Sequence, residues 1–208
     1  MEEKLVYSDI FGKAWKGLIS QFWLLVGLII GFTIVYSLLY IFALPAKGES
    51  MTISGIIVSV LCWLLLCLFQ MGYLKNCFQT LDGEEPQFSS YGQVTRKLPA
   101  YLVASIIFML VVAAGTALLI VPGIYLSLRF QFFFASMVDE NTGIIESFKR
   151  SWEITKGHTL TLFIVLLMIF LINLIGLLAL IVGIFAAIPL TILMYGDIFR
   201  RLTAPTAS

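Results

Sequence analysis

Apolar runs occupy positions 22–44, 53–74, 99–121, 124–138 and 160–195, with short polar segments between them. The hydrocarbon layer of a bilayer is about 30 Å thick, and roughly 20 helical residues cross it. Each of the first three runs therefore predicts one transmembrane helix. The run 124–138 is short and predicts a span tilted into a thinned region or continuing into the interface. The run 160–195 contains no charged residue, and as one straight helix it would be about 54 Å long at 1.5 Å per residue. It has to double back, with a turn near Val182-Gly183. Pro99 suits a first helical turn, where its missing N–H costs nothing, and Pro122-Gly123 reads as a turn. The pattern predicts an all-α integral membrane protein with six transmembrane helices.

The polar segments carry their own periodicity. At helical spacing Ile10, Phe11, Ala14, Trp15, Leu18 and Ile19 share a face opposite Asp9, Lys13, Lys16 and Ser20, with Ser8 as N-cap. Further on, Ile144, Ile145, Phe148 and Trp152 form an apolar face. Glu146–Arg150 and Lys149–Glu153 are i,i+4 pairs on the wet side, and Gly157 is a terminator. A weaker copy sets Tyr91, Val94 and Leu98 against Gln93, Arg96 and Lys97. These three segments are expected to be interfacial helices along the cytoplasmic membrane surface. They either anchor each hairpin, as interfacial Trp and Lys commonly do, or recognise anionic headgroups through Lys13, Trp15, Lys16, Arg96, Lys97, Lys149, Arg150 and Trp152, at about 1 kcal/mol per cation. The interleaved acids Asp9, Glu146 and Glu153 weaken the second reading.

The order of features repeats. A shift of 137 brings Asp9, Phe11, Lys13 and Trp15 onto Glu146, Phe148, Arg150 and Trp152, and a shift of 57 brings Leu81-Asp82 onto Val138-Asp139. The expectation is one membrane domain over 1–208, with approximate repeats 1–80, 81–138 and 139–202 and a tail 203–208. Each repeat is an amphipathic segment followed by a hairpin of two spans.

Composition agrees: 60% of the 208 residues are hydrophobic and 12% charged, with a mean hydropathy of +1.01. A soluble fold of this size cannot hide that much apolar surface in one core. The net charge of +1 gives no general attraction to nucleic acid. Cys62, Cys67 and Cys77 read as buried thiols. Met1-Glu2-Glu3-Lys4 before so long an apolar run reads as a retained anchor rather than a cleaved signal. Eleven cations fall before the first span, in the two longer loops and after the last span. Only Lys47 falls on the other side, and Arg129 lies inside a span. The positive-inside rule then puts both termini in the cytoplasm.

Arg129 is the residue that most invites a function, because a cation inside the membrane is costly and usually faces protein or water on a functional path. Six residues beyond Gly123, it sits about 9 Å below the outer face, and Asn173 sits about 14 Å below it. Arg129, Gln131 and Asn173 are therefore the candidate ligand-binding residues. The competing role is a structural clamp on amides and carbonyls of neighbouring helices. Asp197 is expected to form a solvated pair with Arg200 and Arg201. Asp139 and Glu140 are expected to sit in water or cap the next helix. Gly27 with Gly31, Ala113 with Ala117, and Gly183 with Ala187 are spaced for close helix packing within the monomer. One histidine, His158, and no clustered carboxylates leave no metal site. No catalytic motif is found, and no cofactor is expected.

Ile120-Val121-Pro122-Gly123-Ile124-Tyr125-Leu126, Arg129, Val138-Asp139-Glu140-Asn141, Ser147-Phe148-Lys149-Arg150-Ser151-Trp152 and Lys156-Gly157 resemble a broad family of uncharacterised prokaryotic multi-pass membrane proteins. A related module is the membrane domain fused to some bacterial glycerophosphodiester phosphodiesterases. The resemblance implies a helical domain in the prokaryotic plasma membrane and no enzyme activity. The expectation is a non-enzymatic protein that binds lipid or serves as accessory or scaffold to a membrane complex. Its partners would be membrane lipids, a membrane protein or a second copy, and not nucleic acid. The alternative is a small transporter or channel for an anionic or amphiphilic solute. A lipid enzyme recruiting Asp139, Glu140 and His158 is the least supported class.

Overall fold

Backbone groups removed from water must be satisfied within the chain, and a helix does this locally. The computed structural model describes residues 5–45, 52–179 and 182–204, and among them it is all helix and turn. In chain order the helices are α1 (Tyr7–Ser20), α2 (Phe22–Ile41), α3 (Ile53–Leu81), α4 (Ser89–Thr95), α5 (Leu98–Leu118), α6 (Ile120–Phe130), α7 (Phe133–Asp139), α8 (Ile144–Ile154), α9 (Thr159–Leu178) and α10 (Val182–Thr203). Six stretches are long and apolar enough to cross a membrane: α2, α3, α5, the α6–α7 pair, α9 and α10. Lys4, Lys47 and the tail beyond Ala204 lie outside the described residues.

Several boundaries differ from the sequence reading for physical reasons. Pro122-Gly123 is not the turn. The chain turns at Leu119, whose backbone is extended, and Pro122 sits in the first turn of α6, where an N–H has no helical partner to lose. The fourth span then begins at Ile120 and reaches Asp139. α3 continues to Leu81, seven residues past the expected end. At 29 residues it is about 44 Å long, longer than the apolar layer is thick. Ser8 does not cap α1. Val6 holds the N-cap position with no side-chain bond, and the Ser8 hydroxyl turns to Asp9. Gly157 does end the segment after α8, at φ +84°, a backbone region that costs glycine nothing.

Two kinds of span emerge. In α2, α3, α5 and α9, 17% of the most apolar window is buried against protein, whereas in the 120–139 and 183–203 spans 44% and 56% are. The first four leave most of their apolar sides uncovered by protein, while the other two are central. The core gathers toward one end, around Met71, Tyr73, Cys77 and Phe78 of α3, Phe132 and Met137 beside and within α7, and Leu193, Met194 and Phe199 of α10. α1 completes it by burying Ile10, Ala14 and Leu18. The six-residue apolar face read from the sequence is thus divided: Phe11, Trp15 and Ile19 stay exposed, with Phe11 stacked on Trp15 at 6.0 Å. All three cysteines are buried and free.

Close approach is set by glycine where α5 meets α6 and where α9 meets α10. A Cβ on Gly115 would lie 3.2 Å from the Gly123 Cα, tying α5 to α6. A Cβ on Gly176 would lie 2.7 Å from the Ala187 Cβ and 3.0 Å from the Gly183 carbonyl, tying α9 to α10. The Gly183–Ala187 spacing is used as expected. Gly27 and Gly31 are not: a Cβ on either meets nothing within 4 Å, and both line an open groove beside α3.

Candidate functional site

The fourth span is broken. α6 ends at Phe130 and α7 starts at Phe133, and the joint between them exposes backbone groups that no helix satisfies. A neighbouring element supplies their partners through Ser151 and Thr155, which with Ser147 form a fully buried stripe that the sequence did not advertise. The Phe132 N–H donates to Ser151 Oγ at 3.1 Å, and the Ser151 hydroxyl donates to the Arg129 carbonyl at 2.8 Å. The Thr155 hydroxyl, 2.7 Å from the Ser151 carbonyl, also lies 3.2 Å from the Arg129 carbonyl. From the other side, the Tyr195 hydroxyl of α10 donates to the Gln131 carbonyl at 2.7 Å. Side-chain hydroxyls thus do at the joint what i→i−4 bonds do elsewhere. α8 is seated on the joint by aromatic packing as well, with Phe148 stacked on Phe133 at 5.1 Å and edge-on to Phe130 at 5.5 Å.

Arg129 is the last cation before this break. It is 3% exposed, and its guanidinium carbon lies 4.1 Å from the centre of the Trp152 ring. Its Nε is buried without a hydrogen-bond partner, and no carboxylate pairs with it among the described residues. The cation–π contact offsets part of the cost of burial, but a guanidinium has five N–H donors and is satisfied best by bidentate acceptors. Trp152 is therefore both the cation's platform and part of a groove of about 530 Å³ shared with Ile107, Phe130, Phe148 and Lys149.

The other two expected ligand residues bond elsewhere. Gln131 donates to the Leu128 carbonyl at 3.2 Å, and Asn173 donates to the Ile169 carbonyl at 2.8 Å and to the Thr191 hydroxyl at 3.3 Å. No bond joins either side chain to Arg129 among the described residues. Asn173 acts as a clamp between α9 and α10.

The expected headgroup cations divide into bound and free. Lys16 and Lys149 are exposed, as is Arg96. Lys13 pairs at 3.0 Å with Asp197, which also holds Arg201 at 2.6 Å. Asp197 is 1% exposed, so it is a buried carboxylate rather than a solvated one, and Arg200 is not its partner. Arg200 instead bridges Asp82 and Asp139, the latter at 2.9 Å, and lies over the Phe78 ring. Arg150 passes over Glu146 and takes Glu140 in a fork, at 2.8, 3.0 and 3.1 Å. This hydrogen-bonded pairing raises the Arg150 pKa against a smaller opposing effect of burial. Glu146 is left to accept the Gly143 N–H at 3.2 Å, closing the start of α8. Asp139 and Glu140 are thus both paired to arginine rather than left to water. Lys97 reaches the Met137 carbonyl at 3.3 Å, and its pKa is lowered by burial first and by Lys75 second. Among the described residues no group of three or more metal-ligating side chains converges.

A family model described as a domain of unknown function, DUF7847, matches residues 87–207. The chain belongs to the DUF7847 family. No curated protein and no solved structure matches it. The DUF7847 region includes α4 to α10, and so the broken span, the Ser151–Thr155 stitch, Arg129 and Trp152, and the Arg200–Asp139 and Arg201–Asp197 pairs, but not Asp82 or Lys13, which complete those two clusters. It leaves out α1 to α3, whose Leu25 carbonyl, Tyr73 and Phe78 pack into the same core.

Proposed function

We propose that this DUF7847 protein is a non-enzymatic integral membrane protein of the prokaryotic plasma membrane that binds phospholipid, alone or as an accessory to a membrane complex. The six spans form three hairpins with both termini in the cytoplasm, and α1, α4 and α8 lie along the cytoplasmic interface. Exposed Phe11, Trp15 and Ile19 on α1, with the free cations Lys16 and Lys149, support the interfacial placement, since apolar faces flanked by cations suit that boundary. The observation that carries the function is the Arg129 guanidinium, buried on Trp152 without any acid. A phosphodiester would supply the anionic acceptor oxygens that the protein withholds, and the groove bounded by Phe130, Phe148 and Trp152 would take an acyl chain.

The test is native mass spectrometry after detergent-free extraction, comparing the unmodified protein with Arg129→Leu and Arg129→Lys. Loss of a stoichiometric phospholipid in the Leu variant, with partial retention in the Lys variant, is expected. Equal retention in all three overturns the headgroup role of Arg129.

A second reading, a small transporter for an anionic or amphiphilic solute, is favoured by one feature, the interrupted span at Gln131–Phe132. Discontinuous helices often mark substrate sites in transporters. Solute flux in proteoliposomes that disappears in Arg129→Leu would support it, and absence of flux over a panel of anions and amphiphiles would remove it.

A further inference from the structure

A second cavity, of about 610 Å³, lies between α2, α3, α5, α7 and α10 and does not include Arg129. Its size is within the range of about 300–1,000 Å³ usual for small-molecule sites. Its walls are aromatic, with Tyr36, Phe69, Tyr73, Tyr101 and Tyr195 among them, and include no acidic, basic or histidine side chain. Every wall residue belongs to a stretch long and apolar enough to cross a membrane, which suits a ligand that partitions into a bilayer.

The hydrogen bonds leave a specific residue of unused polarity. The Tyr73 hydroxyl donates to the Leu25 carbonyl at 3.2 Å, the Tyr195 hydroxyl to the Gln131 carbonyl, and the Tyr101 hydroxyl to Gln70 Oε1 at 3.1 Å. Gln70 is exposed although it sits within an apolar span, and its amide N–H groups have no partner among the described residues. The Tyr36 hydroxyl has none either. An amide with free donors is costly in hydrocarbon, and here it lines the cavity.

We propose that this cavity binds an uncharged membrane lipid through a carbonyl oxygen that accepts from Gln70, with an apolar tail leading into the bilayer. An ion of either sign would enter walls that offer no counter-charge. A carbonyl head matches the free donors, and a planar or ester head packs against the aromatic side chains. Two sources share this chemistry, a prenylated quinone and a diacylglycerol.

The experiment uses the full chain in proteoliposomes with diazirine-tailed analogues of each head, followed by peptide mapping of the crosslinks. Labelling is expected in the α2, α3 and α10 peptides around Tyr36, Gln70 and Ile192. Competition by a short-chain quinone or by dioctanoylglycerol identifies the head. Gln70→Leu removes the donors and is expected to weaken competition about tenfold. Ile192→Trp fills the space and is expected to abolish labelling. Arg129→Leu leaves this labelling unchanged, which separates the result from the phospholipid reading above. Labelling spread over the outward faces of the spans, or labelling equal in the unmodified protein, Gln70→Leu and Ile192→Trp, overturns the proposal, as does failure of both heads to compete.

Discussion

Ser151→Ala tests whether the interrupted span is held open by side chains. Interhelical hydrogen bonds in membrane proteins are worth about 0.6 kcal/mol on average, because the separated helices also find partners. The Ser151 bonds differ in kind. One satisfies a backbone N–H, that of Phe132 at 3.1 Å, and the other a backbone carbonyl, that of Arg129 at 2.8 Å. Ser151 is fully buried, so water has no ready access to the N–H left behind. The relevant magnitude is then the cost of a buried unsatisfied group, about 1–3 kcal/mol. The Arg129 carbonyl retains the weaker contact with Thr155, which places Thr155→Val alone below Ser151→Ala. Removing Tyr195 from the other side as well, in Ser151→Ala/Tyr195→Phe, should cost more or less than the sum by at least about 0.5 kcal/mol, since both partners act on one joint. Denaturant titration in mixed micelles gives the stabilities, and amide exchange at Phe132 reports the joint itself. A Ser151→Ala protein of unchanged stability, with unchanged exchange at Phe132, would refute the argument that α8 satisfies the break.

Three further perturbations follow from contacts described above or beside them. Asp197→Ala should cost roughly 2 kcal/mol, less than the about 3–5 kcal/mol of a fully buried pair, because Lys13 and Arg201 keep contact with solvent; thermal unfolding in detergent reads it, and Lys13→Ala should cost less. Gly72→Ala would drive a Cβ into the Tyr91 ring and should destabilise by about 1–3 kcal/mol, with Tyr91→Ala in the same chain recovering part of the loss; additive losses in the double variant would refute the contact. Gly27→Ala meets nothing within 4 Å and should be neutral or stabilising by up to about 1 kcal/mol through helix propensity, whereas Gly176→Ala, facing the Ala187 Cβ at 2.7 Å, should destabilise; equal effects would show that the two glycines are in similar surroundings.

Hydropathy made the six spans legible, because length and apolarity are additive along a chain. What it did not show was which side of each helix meets protein. In α1 the period grouped Ile10 with Phe11 and Ala14 with Trp15, but a packed neighbour has room for only half of that face, and Ile10, Ala14 and Leu18 took it. In α8 the apolar period highlights Ile145 and Trp152, while the buried edge is Ser147, Ser151 and, at its C-cap, Thr155, small hydroxyls that look wet by composition. Their role depends on a break that has neither Pro nor Gly at its joint, so no local signal announced it. Arg129 was identifiable as costly from the sequence alone. Its platform, Trp152, carries only an interfacial signal in the sequence, and the use of Asn173 to bond Ile169 and Thr191 required three dimensions. Local charge pairing gave way where a tertiary partner competed: Arg150 takes Glu140 rather than Glu146 at i−4, and Arg200 takes Asp82 with Asp139 rather than Asp197 at i−3, while the i,i+4 pair Asp197–Arg201 forms.

The arginine of α10 that joins Asp82 to Asp139 bears on the order in which the chain is made. Synthesis runs from the N-terminus, so α1, α3 and α7 are made before Arg200 exists. Until then Asp82 and Asp139 wait without that cation, and Ile10, Ala14 and Leu18 lack α10, a principal neighbour of their helix. The last helix is the keystone, and a ribosome that stops short of it releases a protein with all its earlier spans made and this end of the helix bundle unlocked. Such a product leaves uncovered the apolar side chains and acids that α10 would have met, features that chaperones and proteases recognise.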